Sequence, residues 1–300
     1  MTSLNADWPS TLELLDLWNA SLPLTQDLAG LESRPFTRQD SLVVRDERGQ
    51  LVGFASIAGP GRPWAPEERG GPGSLRVLIV HPDARGRGHG AQLLSWAEAT
   101  LRERGAQQLN LGGELRHYFP GVPDTQPDTI AWLQSRGYEL GGLSNDLARD
   151  LAPGSLPPLE LPDGVSVTVD GPAALEFVRR AFPGRWAHEV AWVVEHSPQQ
   201  ALALRVNGMT QGFAMLGLRR DPVMLPNALW PTEDCGLGPM GVSAELRGQK
   251  LGQRLLIAAM HHNAARGGRR MGIDWTGVQG FYMTVGFQVV RRYRHLTRAL

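Results

Sequence analysis

The run Arg85-Gly86-Arg87-Gly88-His89-Gly90 sets three alternate glycines among cationic side chains. Without Cβ atoms, a backbone can approach a ligand closely and turn successive N–H groups toward it. If the run also opens a helix, the unbonded first amides and the helix dipole attract an anion. Arg85 and Arg87 add formal charge, so the chemistry implied is phosphate binding. The chain carries the run twice. Arg247-Gly248-Gln249-Lys250-Leu251-Gly252 repeats it with Lys250 in the place of Gly88, which keeps an N–H but adds bulk and a charge. The offset is constant: 242 − 80 for Val80 and Val242, and 252 − 90 for Gly90 and Gly252, both give 162. It holds without a gap to Arg104-Gly105 and Arg266-Gly267, which identifies an internal duplication.

Other phosphate and metal chemistries fit less well. Gly248-Gln249-Lys250 is followed by Leu251, so the hydroxyl that a P-loop gives to magnesium is missing. Gly236-Leu237-Gly238-Pro239-Met240-Gly241 spells a dinucleotide fingerprint, but it precedes a strand and Pro239 lacks an N–H. His261 and His262 are neighbours on a helix and cannot both face one ion, so no metal site is expected. The single cysteine, Cys235, cannot form an internal disulfide and reads as a small buried hydrophobe in a reducing compartment.

The elements that must position the turns are legible from pattern. Each turn follows an apolar strand, Leu75–Val80 or Met240–Val242, and precedes an amphipathic helix, from about Gly88 to Arg104 or from about Lys250 to Arg266. Upstream, Ser10 caps a Leu-rich helix, and two strands, Ser41–Arg45 and Leu51–Ala58, flank the polar turn 46–49. In the second half, Ala173–Phe182 is a helix, and Asn207-Gly208 joins the hairpin strands Ala201–Val206 and Gly212–Leu218. Strands at Met271–Asp274 and Gln288–Thr297 follow. The plan is an α/β (α+β) chain of two tandem domains, each a mixed central sheet flanked by helices. The Pro/Gly-rich stretch 152–158 reads as a linker, which predicts domains at 1–150 and 163–300 joined by residues 151–162. Lys+Arg 30 against Asp+Glu 30 leaves no global field for nucleic acid or a membrane surface. No leader-like segment and no run of about 18 apolar residues is present, so a cytoplasmic protein is expected, monomeric or homodimeric.

Arg-x-x-Gly-x-Gly after a strand and before a helix resembles the acyl-CoA pyrophosphate loop of the GNAT superfamily of N-acetyltransferases. The first run matches it fully and the second departs only at Lys250. A second family-like element also occurs twice, an aromatic residue, four others, glycine and an aromatic: Trp132 to Gly137-Tyr138, and Phe281 to Gly286-Phe287. The resemblance covers nearly the whole chain and is to the tandem two-domain GNAT type. It implies acetyl-CoA as co-substrate, with its pyrophosphate on Arg85, Gly86, Arg87, Gly88, His89 and Gly90, and on Arg247, Gly248, Gln249, Lys250, Leu251 and Gly252. It implies a pantetheine arm lying along Leu78, Ile79 and Val80, and along Met240, Gly241 and Val242. The implied reaction is direct attack of a primary amine on the thioester through a tetrahedral intermediate. The amine would belong to a small molecule or a peptide.

The two halves are not equivalent. Aligning Gly137 with Gly286 gives 286 − 137 = 149, thirteen fewer than upstream, so the first half is longer around residues 114–123. In the same alignment Tyr282 faces Leu133. The resemblance makes Tyr282 the acid for the leaving thiolate. Glu233, Asp234 and Asp274 are the candidate bases of the second half. In the first half, Glu114, His117 and Tyr118 can supply acid and base, or form a lid or an inter-domain contact, and with Phe119 they are expected to touch substrate. The alternative to catalysis is an acyl-CoA-binding sensor or scaffold with degenerate domains.

Overall fold

The computed structural model describes residues 8–61, 71–221 and 234–300. Its strands are β1 (Ser41–Arg45), β2 (Leu51–Ala58), β3 (Gly73–Val80), β4 (Gln108–Leu111), β5 (Val122–Pro123), β6 (Glu139–Asp150), β7 (Val165–Val169), β8 (Ala201–Val206), β9 (Met209–Leu218), β10 (Cys235–Val242), β11 (Arg270–Thr276) and β12 (Gln288–Ala299). Its helices are α1 (Thr11–Ser21), α2 (Leu28–Glu32), α3 (His89–Glu103), α4 (Pro127–Gln134), α5 (Gly171–Ala181), α6 (Arg185–His196), α7 (Leu251–Ala265) and α8 (Gln279–Met283). The hairpins and the helices behind both turns lie where pattern predicts them. Ser10 closes a capping box on α1: its Oγ accepts from the Glu13 N–H at 3.2 Å, and its own N–H donates to Glu13 Oε2 at 2.9 Å. Helix α6 was not expected. Among the described residues, no helix is long and apolar enough to cross a membrane.

The chain forms two compact units, residues 1–144 with 291–300, and residues 145–290. This division departs from the boundary read at the linker, because two long strands each change unit midway. In unit 1 the strand order is β1-β2-β3-β4-β12-β6. The strand beside β4 is therefore the chain's last one, with Thr297 opposite Asn110 and Ala299 opposite Gln108. In unit 2 the order is β7-β8-β9-β10-β11-β6, and the second half of β6 pairs with β11, Asp150 opposite Arg270. Unit 1 thus takes one strand from the far end of the sequence, whereas unit 2 is a continuous stretch.

Helices pack on both faces of each sheet, which is why β2 and most of β9 are buried without interruption. Strand β9 shows the division. Phe213 and Met215 pack with α5 and α6, and Ala214, Leu216 and Leu218 pack with α7. In unit 1, Leu93, Leu94, Ala97 and Leu101 of α3 pack on Ala55 and Ile57 of β2. Phe54 points to the opposite face, against Trp8 and Phe36. Cys235 is fully buried in the core of unit 2.

Candidate active site

Each turn folds as the glycine pattern requires. In unit 1, Gly86 (φ 75°) and Gly88 (φ 88°) take left-handed conformations, and Gly88 is the N-cap of α3. Among the described residues, no acceptor meets the amides of Gly86, Arg87, Gly88, His89 or Gly90. A Cβ on Gly86 or Gly88 would meet nothing within 4 Å, so the space above these amides is open. Amides exposed in this way at a helix N-terminus are the arrangement that generally attracts anions. Arg85 is spent locally: its Nε donates to the Val80 carbonyl at 3.2 Å and Nη2 to the Ser21 carbonyl at 3.0 Å. Arg87 is exposed.

The second turn copies the first in backbone. Gly248 (φ 83°) and Lys250 (φ 59°) are left-handed, and Lys250 is the N-cap of α7. Gln249 donates to the Leu246 carbonyl at 3.4 Å, and Arg247 and Lys250 are exposed. The Leu251 side chain is buried in the core, which leaves only its amide to the turn. The copies agree even in what flanks the third glycine. A Cβ on Gly90 would lie 3.7 Å from Trp132, and one on Gly252 would lie 3.6 Å from Phe281. A lysine held left-handed is strained by about 1–2 kcal/mol. Lys250→Gly is therefore expected to raise the melting temperature slightly and to tighten CoA binding at the second turn. Weaker binding would show that the ammonium outweighs its bulk.

Behind each turn the sheet opens. Strand β3 pairs in parallel with β4 only from Gly73 to Leu75, and Gly112 then donates to the Leu75 carbonyl at 2.9 Å. Beyond that point β3 keeps β2 on one side and, among the described residues, has no strand on the other. A cleft of about 100 Å³ lies there, lined by Arg76, Leu78, Phe119, Val122 and Trp132 among others. Leu78 faces it, Val80 is half-buried, and Ile79 is buried on the opposite face by strand alternation. In unit 2, among the described residues, β10 pairs with β11 only at Cys235 and Gly236. Met240, Gly241 and Val242 are half-buried past the parting. A Cβ on Gly241 would come within 2.8 Å of Phe182. The dinucleotide-like glycines lie inside β10 itself, not in a loop.

Open, unpaired strand edges of this kind accept an extended ligand by backbone hydrogen bonding. Gly90→Glu tests the first turn with least disturbance, because Gly90, unlike Gly88, does not have a left-handed backbone. It is expected to remove one CoA site by calorimetry and to leave the melting temperature nearly unchanged. An unchanged stoichiometry would contradict binding there.

The acid–base candidates separate sharply. Tyr282 on α8 is 8 % exposed and packs on Phe281 and Phe287. Burial, and then the negative charge of Asp274, push its phenol up to about 12. Among the described residues, nothing hydrogen-bonds its hydroxyl. Asp274 sits at a bulge of β11, where the register with β6 shifts between Ile273 and Thr276. Its neighbour Trp275 is left-handed (φ 45°) and donates its N–H to Asp146 Oδ1 at 3.1 Å. Asp234 is committed elsewhere. Its Oδ1 accepts from the amides of Arg269 and Arg270 at 2.7 and 3.0 Å; burial pushes its carboxyl up, but these bonds together with Arg269 outweigh that and hold it below the usual range. Glu233 lies outside the described residues.

The sequence pattern missed Glu189 and Arg185 on α6. Arg185 Nε donates to Glu189 Oε1 at 2.7 Å, and its guanidinium lies 4.4 Å from the centre of the Trp275 ring. Burial raises the Glu189 carboxyl, Arg185 opposes this, and Asp274 raises it further. Asp274 thus acts on both Glu189 and Tyr282.

In unit 1 the corresponding residues are not brought together for catalysis. Tyr118 is fully buried against Trp18 and Phe36, and its hydroxyl donates to the carbonyls of Arg34 and Leu31 at 2.8 and 3.3 Å. His117 is buried, and Glu114 is buried beside Arg76, 3.4 Å from its Nε. Only Phe119 of the four lines the cleft. Leu133, opposite Tyr282 in the alignment, is a core residue. The extra residues of this half fill the core.

Comparison with known proteins agrees with this architecture. The chain is 29% identical over 214 residues to a mycothiol acetyltransferase of Nocardioides sp., covering 63% of this chain and 67% of that one. It is 26% identical over 262 residues to a mycothiol acetyltransferase of Saccharopolyspora erythraea, covering 84% and 80%. Among solved structures, a glucosamine N-acetyltransferase region of a fungal multi-domain β-N-acetylglucosaminidase superposes with a TM-score of 0.81 at 22% identity. That match covers 99% of this chain but only 38% of the fungal one. A GCN5-related N-acetyltransferase from Sphaerobacter thermophilus gives a TM-score of 0.70 at 18% identity, covering 97% and 94%. A tandem GNAT protein from the clavulanic acid pathway gives 0.65 at 19% identity, covering 96% and 94%. These likenesses establish the fold. A model of the acetyltransferase (GNAT) family matches residues 8–116 and again 172–287, so the chain belongs to that family, with the domain present twice.

Proposed function

We propose that the protein moves an acetyl group from acetyl-CoA to a primary amine, and that the transfer takes place in unit 2. The observation that carries this is the Tyr282 hydroxyl, which has no hydrogen bond among the described residues and feels the charge of Asp274, in the unit where the β10–β11 pairing stops, among the described residues, at Gly236. The turn amides would hold the pyrophosphate, and the open edge of β10 would hold the pantetheine arm. The amine nitrogen attacks the thioester carbonyl, the C–N bond forms and the C–S bond breaks. Tyr282 gives its proton to the departing sulfur, and Asp274 is placed to draw a proton from the amine side. The buried, hydrogen-bonded Tyr118 favours a different role for unit 1: it binds acyl-CoA without catalysis. Two bacterial relatives are mycothiol acetyltransferases, which supports testing mycothiol-related amines first.

The test is release of CoA thiol from acetyl-CoA with a panel of amines: mycothiol-related compounds, amino sugars, aminoglycosides and peptide N-termini. Turnover with at least one is expected. Tight binding of acetyl-CoA with no thiol release on any amine would support the sensor alternative instead.

A further inference from the structure

Among the described residues, Arg76 alone on β3 faces no partner residue on either neighbouring strand. Ser56 and Ile57 of β2, consecutive in the chain, face Val77 and Leu75, which leaves Arg76 as the extra residue of a β-bulge. The pairing with β4 stops one residue earlier, at Leu75. Bulges re-aim side chains and recur beside active sites. Here the re-aimed side chain is a guanidinium, and it lines the unit 1 cleft, whose other walls are mostly apolar, among them Leu78, Leu111, Phe119 and Trp132.

The guanidinium is held in place without being saturated. Its side chain is only 14 % exposed, and its central carbon lies 4.9 Å from the centre of the Phe36 ring and 5.7 Å from that of Tyr118. Nε donates to Glu114 Oε1 and Nη1 to the Pro35 carbonyl, both at 3.4 Å, which is long for a hydrogen bond. Among the described residues, Nη2 has no acceptor, and it is not enclosed. Glu114 is buried and does not line the cleft, and the charge of Arg34 acts on it as well as that of Arg76. An apolar cleft with one cationic donor in its wall suits a ligand that is apolar along its length and anionic at its tip.

We propose that unit 1 selects an acyl-CoA whose short acyl chain ends in a carboxylate, and that Arg76 Nη2 binds that carboxylate. This rests on the reading, given above, that unit 1 binds acyl-CoA without catalysis. On that reading the pyrophosphate lies on the turn after Val80 and the arm runs back along Val80 and Leu78, so the acyl end arrives at Arg76. An acetyl group offers a cation nothing there. A terminal carboxylate accepts a charge-assisted hydrogen bond, the stronger kind. Phe36 and Tyr118 are positioning residues that hold the guanidinium, and Arg76 sets specificity. The two units then respond to different thioesters: unit 2 takes acetyl-CoA as donor, and unit 1 senses an acidic acyl-CoA.

Calorimetry on the full chain tests this with succinyl-CoA, with butyryl-CoA, which has the same chain length without the charge, and with acetyl-CoA. The unit 1 component is the binding that Gly90→Glu removes. In that component succinyl-CoA is expected to bind about 10- to 100-fold more tightly than butyryl-CoA, the range for a hydrogen bond to a charged group. Arg76→Gln should bring the two within about twofold and leave butyryl-CoA nearly unchanged. If melting curves show that this variant does not fold, Arg76→Gln combined with Glu114→Gln removes both charges and carries the comparison. Equal binding of succinyl-CoA and butyryl-CoA by the wild-type protein overturns the inference and needs no variant. So does a preference that survives the loss of Arg76, and so does free succinate binding as tightly as succinyl-CoA. If Gly90→Glu removes no binding of any of the three thioesters, the reading of unit 1 as an acyl-CoA site falls instead, and that failure is distinct because it does not depend on charge.

Discussion

Tyr282→Phe is expected to lower kcat roughly 10- to 1000-fold and to leave the KM for acetyl-CoA nearly unchanged, overlapping the usual worth of an acid–base group. The substitution keeps the ring that packs on Phe281 and Phe287 and removes only the hydroxyl. A phenol pushed up to about 12 stays protonated through neutral and mildly alkaline pH, as a proton donor must. It also makes the donor weak, which suits a thiolate that leaves readily on its own. Tyr282 should therefore put no alkaline limb on the kcat profile in the ordinary working range. The contrast is Tyr118→Phe. That phenol is raised to about 12 by burial, but its hydroxyl is bonded to two carbonyls. Losing it should cost about 1–3 kcal/mol of stability and little turnover. Steady-state kinetics and melting curves on both variants check the pair. Unchanged kcat in Tyr282→Phe with collapse in Tyr118→Phe would move the chemistry to unit 1.

The second large effect concerns the last ten residues. Deleting Arg291–Leu300 is expected to unfold unit 1, although the deletion lies at the far end of the sequence from it. The deleted strand sits between β4 and β6 and carries Tyr293 and Leu296, both essentially fully buried. Each contributes about 1.5–3 kcal/mol by burial. Arg298 adds an ion pair to Glu98 at 2.8 Å, and the same carboxylate accepts from the Tyr138 hydroxyl at 3.0 Å. Together these approach the whole stability of an ordinary domain. The exposed edges of β4 and β6 would then invite aggregation. Limited proteolysis of the truncated chain should cut within residues 8–144 while the control resists. A truncated protein that keeps a protected unit 1 would contradict this account of the sheet. For the same reason, residues 1–150 alone should not give a stable monomer.

Much of this architecture was legible in the sequence because it rests on local signals. Three alternate glycines before a helix announce a tight turn with left-handed residues, and both turns fold that way. Lys250 adopts the left-handed conformation of Gly88, so the duplication held where the residue type changed. Hairpins and amphipathic helices were legible for the same reason.

What escaped was long-range. No local pattern says that β12 enters the first unit, because a strand records which face is buried and not which strand lies beside it. Helix α6 escaped because its buried stripe is thin, with only Val190 and Val193 fully enclosed. Glu189 escaped with it, since a glutamate on a helix reads as solvated until burial and Arg185 are known. The spacing Arg185–Glu189, four residues apart, was the one available hint. Asp234 misled for the opposite reason: an acidic residue before a strand looks free, and only the structure shows two backbone amides holding it. Tyr118, a candidate in the longer first half, is a core residue.

The most direct measurement is turnover after blocking one turn at a time. Gly90→Glu and Gly252→Glu each place a carboxylate against one anion cradle, and in neither does the added Cβ come closer than ordinary contact. With the best amine of the panel, Gly252→Glu is expected to abolish CoA release, and Gly90→Glu is expected to leave most of it. If Gly90→Glu silences the protein and Gly252→Glu does not, acetyl transfer belongs to unit 1 and the assignment made here is wrong.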